Sequence, residues 1–263
     1  MNWVITGGCG FIGISLIKKL IKEDGHNIRI LDNLTTGTRD DLSEACVFSE
    51  TLKNNISIFN NIELIVGDIL DEDLAIKVTK NADVIIHLAA NTGVGPSVKN
   101  PRADCMANVI GTFNYLEAAR INSIQRFVFA SSGAPAGEVE PPIHEELPPH
   151  PVSPYGASKL AGEGYCSAYF KTFNIQTVML RFGNVYGPGS LHKNSIVAKF
   201  IRQALNKETL EIYGDGAQTR DFIYIDDLIN ALRLAVTTDN IGGEAFQIAS
   251  NKETTVGEIT EKM

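Results

Sequence analysis

The 263-residue chain has only four cysteines, and they form neither a CxxC pair nor a Cys/His cluster. Cys9, Cys46, Cys105 and Cys166 therefore offer no zinc site and no disulfide framework, and they read as reduced thiols of a cytoplasmic protein. No apolar stretch reaches the roughly 18 to 20 residues that cross a bilayer. The first residues run into a strand without a charged leader or a small-residue cleavage site, so neither a membrane nor a secretory route is expected. Basic residues are in the minority, 23 Lys and Arg against 31 Asp and Glu, and no dense basic run offsets the formal charge of -8. Nucleic acid binding thus has no electrostatic footprint. A repeat of roughly 20 to 50 residues is also missing, which excludes a solenoid or propeller. With 44% hydrophobic residues the chain has enough apolar side chains for a core, and disorder is excluded.

Short apolar bursts alternate with segments of helical period, the rhythm of βαβ units around a parallel sheet buried on both faces. Strands are expected at Asn2 to Thr6, Asn27 to Leu31, Ile62 to Val66, Asp83 to Leu88, Arg126 to Ala130 and Gln176 to Leu180. Helices are expected at about 11 to 22, 71 to 80, 101 to 121 and 154 to 173. Beyond Arg181 the pattern loosens. A helix near 194 to 206, a strand at Leu210 to Tyr213, a helix near 226 to 236 and a strand at Ala245 to Ile248 suggest a smaller lobe, interleaved with the first, over the carboxyl edge of the sheet. The expected division is a Rossmann-type doubly wound α/β domain over 1–181, to which 221–248 returns, and a substrate lobe over 182–220 and 249–263. Asp40 to Asn61 shows little periodicity.

After the first strand comes Thr6-Gly7-Gly8-Cys9-Gly10-Phe11-Ile12-Gly13, a glycine-rich turn into a helix. Here Cβ atoms would hold a pyrophosphate away from the backbone, and the helix N-terminus supplies N–H donors. Two registers fit, Gly8-x-Gly10-x-x-Gly13 and Gly7-x-x-Gly10-x-x-Gly13. Asp32 follows the second strand, where a carboxylate accepts from the adenosine ribose hydroxyls and repels a 2′-phosphate, favouring NAD over NADP. The alternative is that Asp32 caps a turn in Asp-Asn-Leu-Thr-Thr-Gly, and that Asp68 caps one after Val66-Gly67.

Ser153-Pro154-Tyr155-Gly156-Ala157-Ser158-Lys159 combines an N-cap residue, a proline suited to the first helical turn, and Tyr and Lys on one helix face. A phenol titrates near pH 10, and bringing it to about 7 needs roughly 4 kcal/mol, which a neighbouring ammonium and an oxidised nicotinamide can supply. Tyr155 could then take a hydroxyl proton. The strand from Arg126 delivers Ser131-Ser132 to the carboxyl edge of the sheet, where a serine can hydrogen-bond the same reacting oxygen; otherwise the serines are a plain turn. His87, His144, His150 and His192 read as packed or loop residues, Glu145 and Glu146 as solvated, and no metal site is expected.

Together these motifs resemble the extended short-chain dehydrogenase/reductase family, and most closely its nucleotide-sugar epimerases of the UDP-glucose 4-epimerase type. The resemblance also draws on Leu31-Asp32-Asn33-Leu34, Gly67-Asp68-Ile69, His87-Leu88-Ala89-Ala90, Asn108-Val109-x-Gly111-Thr112, Leu180-Arg181-Phe182-x-Asn184-Val185-Tyr186-Gly187 and Tyr213-Gly214-Asp215-Gly216-x-Gln218-Thr219-Arg220-Asp221-Phe222. It implies an NAD cofactor whose pyrophosphate is held by Gly7, Gly10, Phe11, Ile12 and Gly13. Asp32 and Asn33 would hold the adenosine ribose, Asp68 and Ile69 the adenine, and Leu88, Ala89 and Ala90 the ribose and phosphate side. Asn108 would support the active-site helix and lysine. Lys159 would hold the nicotinamide ribose and tune Tyr155, with Ser132 as the catalytic hydroxyl. Asn184, Tyr213 and Arg220 match positions that grip a nucleotide-diphosphate sugar, although Arg220 could instead pair with Asp221 or Asp226. A homodimer joined through the helices at 101 to 121 and 154 to 173 is implied as well.

Departures narrow the reaction. The family's 4,6-dehydratases place an Asp-Glu pair just after the catalytic hydroxyl and its decarboxylases keep an acid there, whereas this chain has Gly133 and Ala134. The aromatic residue that often follows is replaced within Pro135-Ala136-Gly137, and a lysine found in several 4-epimerases is Thr92. Relatives commonly continue for several tens of residues past a segment such as Val256 to Met263, and that tail contributes a further arginine. The expectation is an NAD-dependent C4 epimerase, with a reductase, dehydratase or decarboxylase as neighbouring reactions. A non-catalytic NAD sensor would need no intact Ser132, Tyr155 and Lys159.

Overall fold

Trp3 and Ile5 pack into one hydrophobic cluster and Val4 into another. This is the signature of a strand covered on both faces. The computed structural model describes residues 1–190, 195–212 and 214–263. Its strands are β1 (Asn2–Thr6), β2 (Asn27–Asp32), β3 (Ser49–Glu50), β4 (Ile62–Val66), β5 (Val84–His87), β6 (Arg126–Ser132), β7 (Gln176–Phe182), β8 (Asn184–Tyr186), β9 (Thr219–Tyr224), β10 (Ala245–Ile248) and β11 (Glu253–Thr255). Eight form one sheet in the order β10-β7-β6-β5-β1-β2-β4-β3, every pairing parallel. The chain order reverses between β1 and β5, with Thr6 in register with His87, so the crevice for a ligand opens beyond those two residues.

Helices Phe11–Leu20 and Ile225–Thr237 cover one face, contributing Leu16, Ile17, Leu20, Leu228 and Leu232 to the first cluster. Glu72–Thr79, Gly111–Ile121 and Pro154–Phe173 cover the other, with Leu74, Val78, Tyr115, Leu116, Cys166 and Tyr169. A three-stranded sheet, β11-β9-β8, lies apart from the large one, near a third cluster of Phe200, Val256 and Ile259.

Several expectations need correction. Residues 210–212 form no strand, and Tyr213, like His192, lies outside the described residues. The helix expected over 101 to 121 is interrupted by a π-turn at Met106–Ile110, which carries Asn108. The short strands β3, β8, β9 and β11 and the helices Arg39–Ser43, Val94–Lys99 and Val256–Glu261 were not foreseen. Glu145 and Glu146 are exposed, as expected, and Glu145 Oε1 in addition accepts the Gln247 N–H at 2.6 Å, tying the proline-rich loop to β10.

Candidate active site

The glycine turn sits at the point where the sheet order reverses. Gly7 has a φ of +68°, and a Cβ there would lie 2.8 Å from the Ala89 nitrogen, so no other residue fits between β1 and the chain leaving β5. At Gly13 a Cβ would come within 2.5 Å of Gly8, which fixes how closely the helix seats on the turn. Gly10 is the N-cap of helix Phe11–Leu20 and brings no side-chain cap. No hydroxyl or carboxylate at that position competes with an anion for the helix end. The cradle has the shape and the donor chemistry for a pyrophosphate.

Asp32 ends β2 and is almost fully buried. Its carboxylate accepts the Cys9 N–H at 2.9 Å and the Leu34 N–H at 2.9 Å. The capping expected as an alternative is thus present, but it also ties the end of β2 to the glycine turn. Burial raises the Asp32 carboxyl, and the two backbone donors oppose that shift. Asn33 donates to Asp68 at 3.2 Å, while the other Asp68 oxygen accepts the Leu70 N–H at 3.0 Å. Ile69 is buried beside them, and Leu88, Ala89 and Ala90 line the far wall, partly exposed.

The second half of the site hangs on the carboxyl end of β6 and the start of helix Pro154–Phe173. Ser153 caps that helix by accepting the Gly156 N–H at 3.1 Å, and Pro154 opens it. Tyr155 and Lys159 then share a face. The phenol hydrogen-bonds Ser132, which favours its ionised form, but burial dominates and raises the Tyr155 hydroxyl above its usual value. Ser132 also accepts the Ala134 N–H at 3.2 Å, which aims its hydroxyl. Lys159 is 3% exposed; its ammonium donates to the Ala130 carbonyl at 2.8 Å and lies 4.9 Å from the Phe129 ring centre. Burial brings it down to about 8, with Asp104, Cys166 and Glu163 opposing.

The sequence reading did not single out Glu163. Glu163, one turn beyond Lys159, accepts from Arg181 at 2.8 and 2.7 Å and from Ser131 at 2.6 Å, pinning β6 and β7 to the active-site helix. Its spacing of four from Lys159 was the available signal. His87 links Thr6 at 2.9 Å to Thr112 at 3.1 Å, and burial holds it neutral with a pKa of about 3. Thr112 itself donates to the Asn108 carbonyl at 2.7 Å, so the ring Nε2 carries the proton and Nδ1 accepts from Thr6. Asn108 donates to the Asn91 carbonyl, Asp104 and Ser158 at 2.9, 3.0 and 3.1 Å.

Two of the sugar-side candidates, Asn184 and Arg220, lie on the small sheet. Asn184 on β8 is exposed and donates to the Asp221 carbonyl at 3.1 Å. Arg220 on β9 is exposed and makes no ion pair with Asp221 or Asp226 among the described residues. Asp221 instead accepts from Ser250 and Lys252. Among the described residues no group of His, Cys, Asp and Glu could hold a metal ion, and no helix is long and apolar enough to cross a membrane.

A glycine-lined crevice at the sheet's reversal point, with Ser, Tyr and Lys converging beside it, defines an extended short-chain dehydrogenase/reductase fold. Comparison with known proteins agrees, for the family model of NAD dependent epimerases and dehydratases matches residues 3–249. The chain belongs to the NAD dependent epimerase/dehydratase family, and NAD is its cofactor. A Methanocaldococcus jannaschii protein, named provisionally as a UDP-glucose 4-epimerase, is 41% identical over 262 residues, covering 97% of this chain and 79% of its own. UDP-glucose 4-epimerase of Thermotoga maritima, solved with UDP-glucose, superposes with a TM-score of 0.86 at 31% identity, over 99% of this chain and 81% of the other. The dTDP-glucose 4,6-dehydratase DesIV of Streptomyces venezuelae, solved with NAD, gives a TM-score of 0.87 at 28% identity, over 100% and 80%.

Proposed function

We propose that this chain interconverts C4 epimers of a nucleoside-diphosphate sugar, of the UDP-glucose/UDP-galactose type or its N-acetyl or uronic acid forms. One observation carries the choice within the family. Ser132 and Tyr155 stand together at the carboxyl end of β6, while the next two positions, Gly133 and Ala134, hold no carboxylate. Expelling water from C6 or losing carbon dioxide needs acid/base work that this stretch does not provide.

Gly7, Gly10, Phe11, Ile12 and Gly13 hold the pyrophosphate of NAD, Asp32 and Asn33 its adenosine ribose, Asp68 and Ile69 its adenine, and Lys159 its nicotinamide ribose. Leu88, Ala89 and Ala90 face its ribose and phosphate side. When bound, NAD supplies reversible two-electron chemistry at one carbon. Tyr155 takes the proton of the sugar O4 and later returns it; Ser132 holds that oxygen by hydrogen bonding while it becomes a ketone. Asn108 fixes the helix that carries both Tyr155 and Lys159. A trigonal C4 can receive hydrogen on either face once the sugar has turned about its diphosphate linkage, so the configuration inverts and no reductant is consumed.

Asn184 and Arg220 of the small sheet, together with Tyr213, grip the sugar nucleotide, and Arg220 offers a planar fork to the diphosphate. The reading extends to a cytoplasmic homodimer. Ile110 and Ile121 on one helical run and Tyr165 and Phe173 on the next are large apolar side chains left at least 40% exposed, which supports a seam through these helices. Incubation with UDP- and TDP-linked hexoses, N-acetylhexosamines and hexuronic acids, resolved by chromatography, tests the activity. The C4 epimer should form without added reductant; a 4-keto-6-deoxy product, or a strict need for stoichiometric NADPH, would reject the proposal.

A further inference from the structure

Asp104 is 2% exposed and sits one helical turn before Asn108. One carboxylate oxygen accepts from the Asn108 amide at 3.0 Å; the other, Oδ2, is buried with no hydrogen-bond partner among the described residues. A buried carboxylate left half satisfied costs stability, so the arrangement asks for a role. The Asn108 amide that touches it also reaches Ser158 at 3.1 Å, and Ser158 donates to the Tyr155 carbonyl at 3.0 Å. Asp104 is thereby coupled to the helix turn that carries Tyr155 and Lys159.

The charges facing that turn leave one pairing open. On its own helix Glu163 is neutralised by Arg181 from β7 through two hydrogen bonds, and the Cys166 thiol is pushed above its usual range by burial. His87 on β5 is neutral. From β6 come the Ala130 carbonyl on Lys159 and the Ser132 hydroxyl on Tyr155. Among the described residues Asp104 is the remaining negative charge against the Lys159 ammonium.

We propose that Asp104 is a positioning residue whose buried negative charge sets the pH range in which Tyr155 and Lys159 work. Its charge supports the Lys159 ammonium against the burial that lowers it, and adds to the burial that opposes ionisation of Tyr155. Removing the charge must lower both ionisations together, so the activity window slides to lower pH without narrowing. The inference rests on the reading of Tyr155 as the proton-transferring group, and the test separates the two.

The experiment is an ultraviolet difference titration of tyrosinate in the NAD-loaded protein, with Tyr155→Phe as the blank, for wild type, Asp104→Asn and Asp104→Glu. Asp104→Asn should move the Tyr155 titration down by about one pH unit, the order expected on removing one like charge from a partly buried site. Asp104→Glu should leave it near wild type, and the pH profile of kcat should move in parallel. An unshifted titration in Asp104→Asn, or equal shifts in the Asn and Glu variants, would overturn the proposal. Should Asp104→Asn not fold, Asp104→Ser serves as a second charge-free variant; failure of both to fold while Asp104→Glu folds would assign the carboxylate to stability and reject the inference. Full epimerase activity in Tyr155→Phe would instead strike at the reading of Tyr155, whatever Asp104 does to the titration.

Discussion

The Lys159 ammonium lies 5.9 Å from the centre of the Tyr155 ring but spends its hydrogen bond on the carbonyl of Ala130. Without dinucleotide the Tyr155 hydroxyl is pushed up by burial, with only Ser132 pulling it down. The positive charge of oxidised NAD is expected to bring it down. Titration of tyrosinate should place Tyr155 above the ordinary phenol range in the free protein and bring it down with NAD bound, while NADH gives a much smaller change.

Asp32→Ala removes an acceptor shared by the Cys9 and Leu34 N–H groups. Folding stability should fall by about 2 kcal/mol. Affinity for NAD should drop by roughly 10- to 100-fold while that for NADP changes little or improves. Calorimetric titration with both cofactors checks this; equal losses would leave Asp32 as a turn cap alone.

Glu163 and Arg181 form a buried pair with side chains 7% and 9% exposed. Glu163→Gln should cost about 3–5 kcal/mol because it strands the guanidinium. Glu163→Gln combined with Arg181→Met should recover most of that loss in urea denaturation. A double variant no more stable than the single would show that the two residues are not coupled.

His87 is buried and its folded value of about 3 lies below the ordinary 6.5, so the unfolded chain binds a proton that the native chain refuses. Its contribution is full above about pH 6.5 and is lost progressively as the pH falls towards 3. Up to about 5 kcal/mol should disappear over that window. In His87→Gln the urea midpoint should depend much less on pH between 7 and 4.

Arg220 is exposed and unpaired with its acidic neighbours among the described residues. Arg220→Ala should raise KM for the sugar nucleotide by roughly 10- to 100-fold, about 1.4–3 kcal/mol, with little change in kcat or NAD affinity. A fall in kcat alone would contradict a diphosphate contact.

What the sequence disclosed depended on how local the determinant was. β1 and β4 were legible to the residue because strands buried on both faces are written as mainly apolar runs between turn signals, and β10, half-buried at the sheet edge, was marked by its apolar Ala245, Phe246 and Ile248. Tyr155 and Lys159 were legible because a helix turns their spacing directly into proximity. β8 and β11 are three residues each and half exposed, too short to show a period of two. The π-turn at Asn108 leaves no mark in apolar spacing, and Asp104 reads as one more polar residue in a helix. Its significance comes from Ser158, 50 residues beyond Asn108 and joined to it only by packing.

The most direct test follows one atom. UDP-glucose carrying deuterium at C4 is incubated with the NAD-loaded protein, and the product is located and its label mapped by NMR. The account predicts UDP-galactose with the deuterium retained at C4 and no net change in NAD, and no such product from Tyr155→Phe. Label found at C6 of a 4-keto-6-deoxy sugar, or lost to solvent, would contradict it.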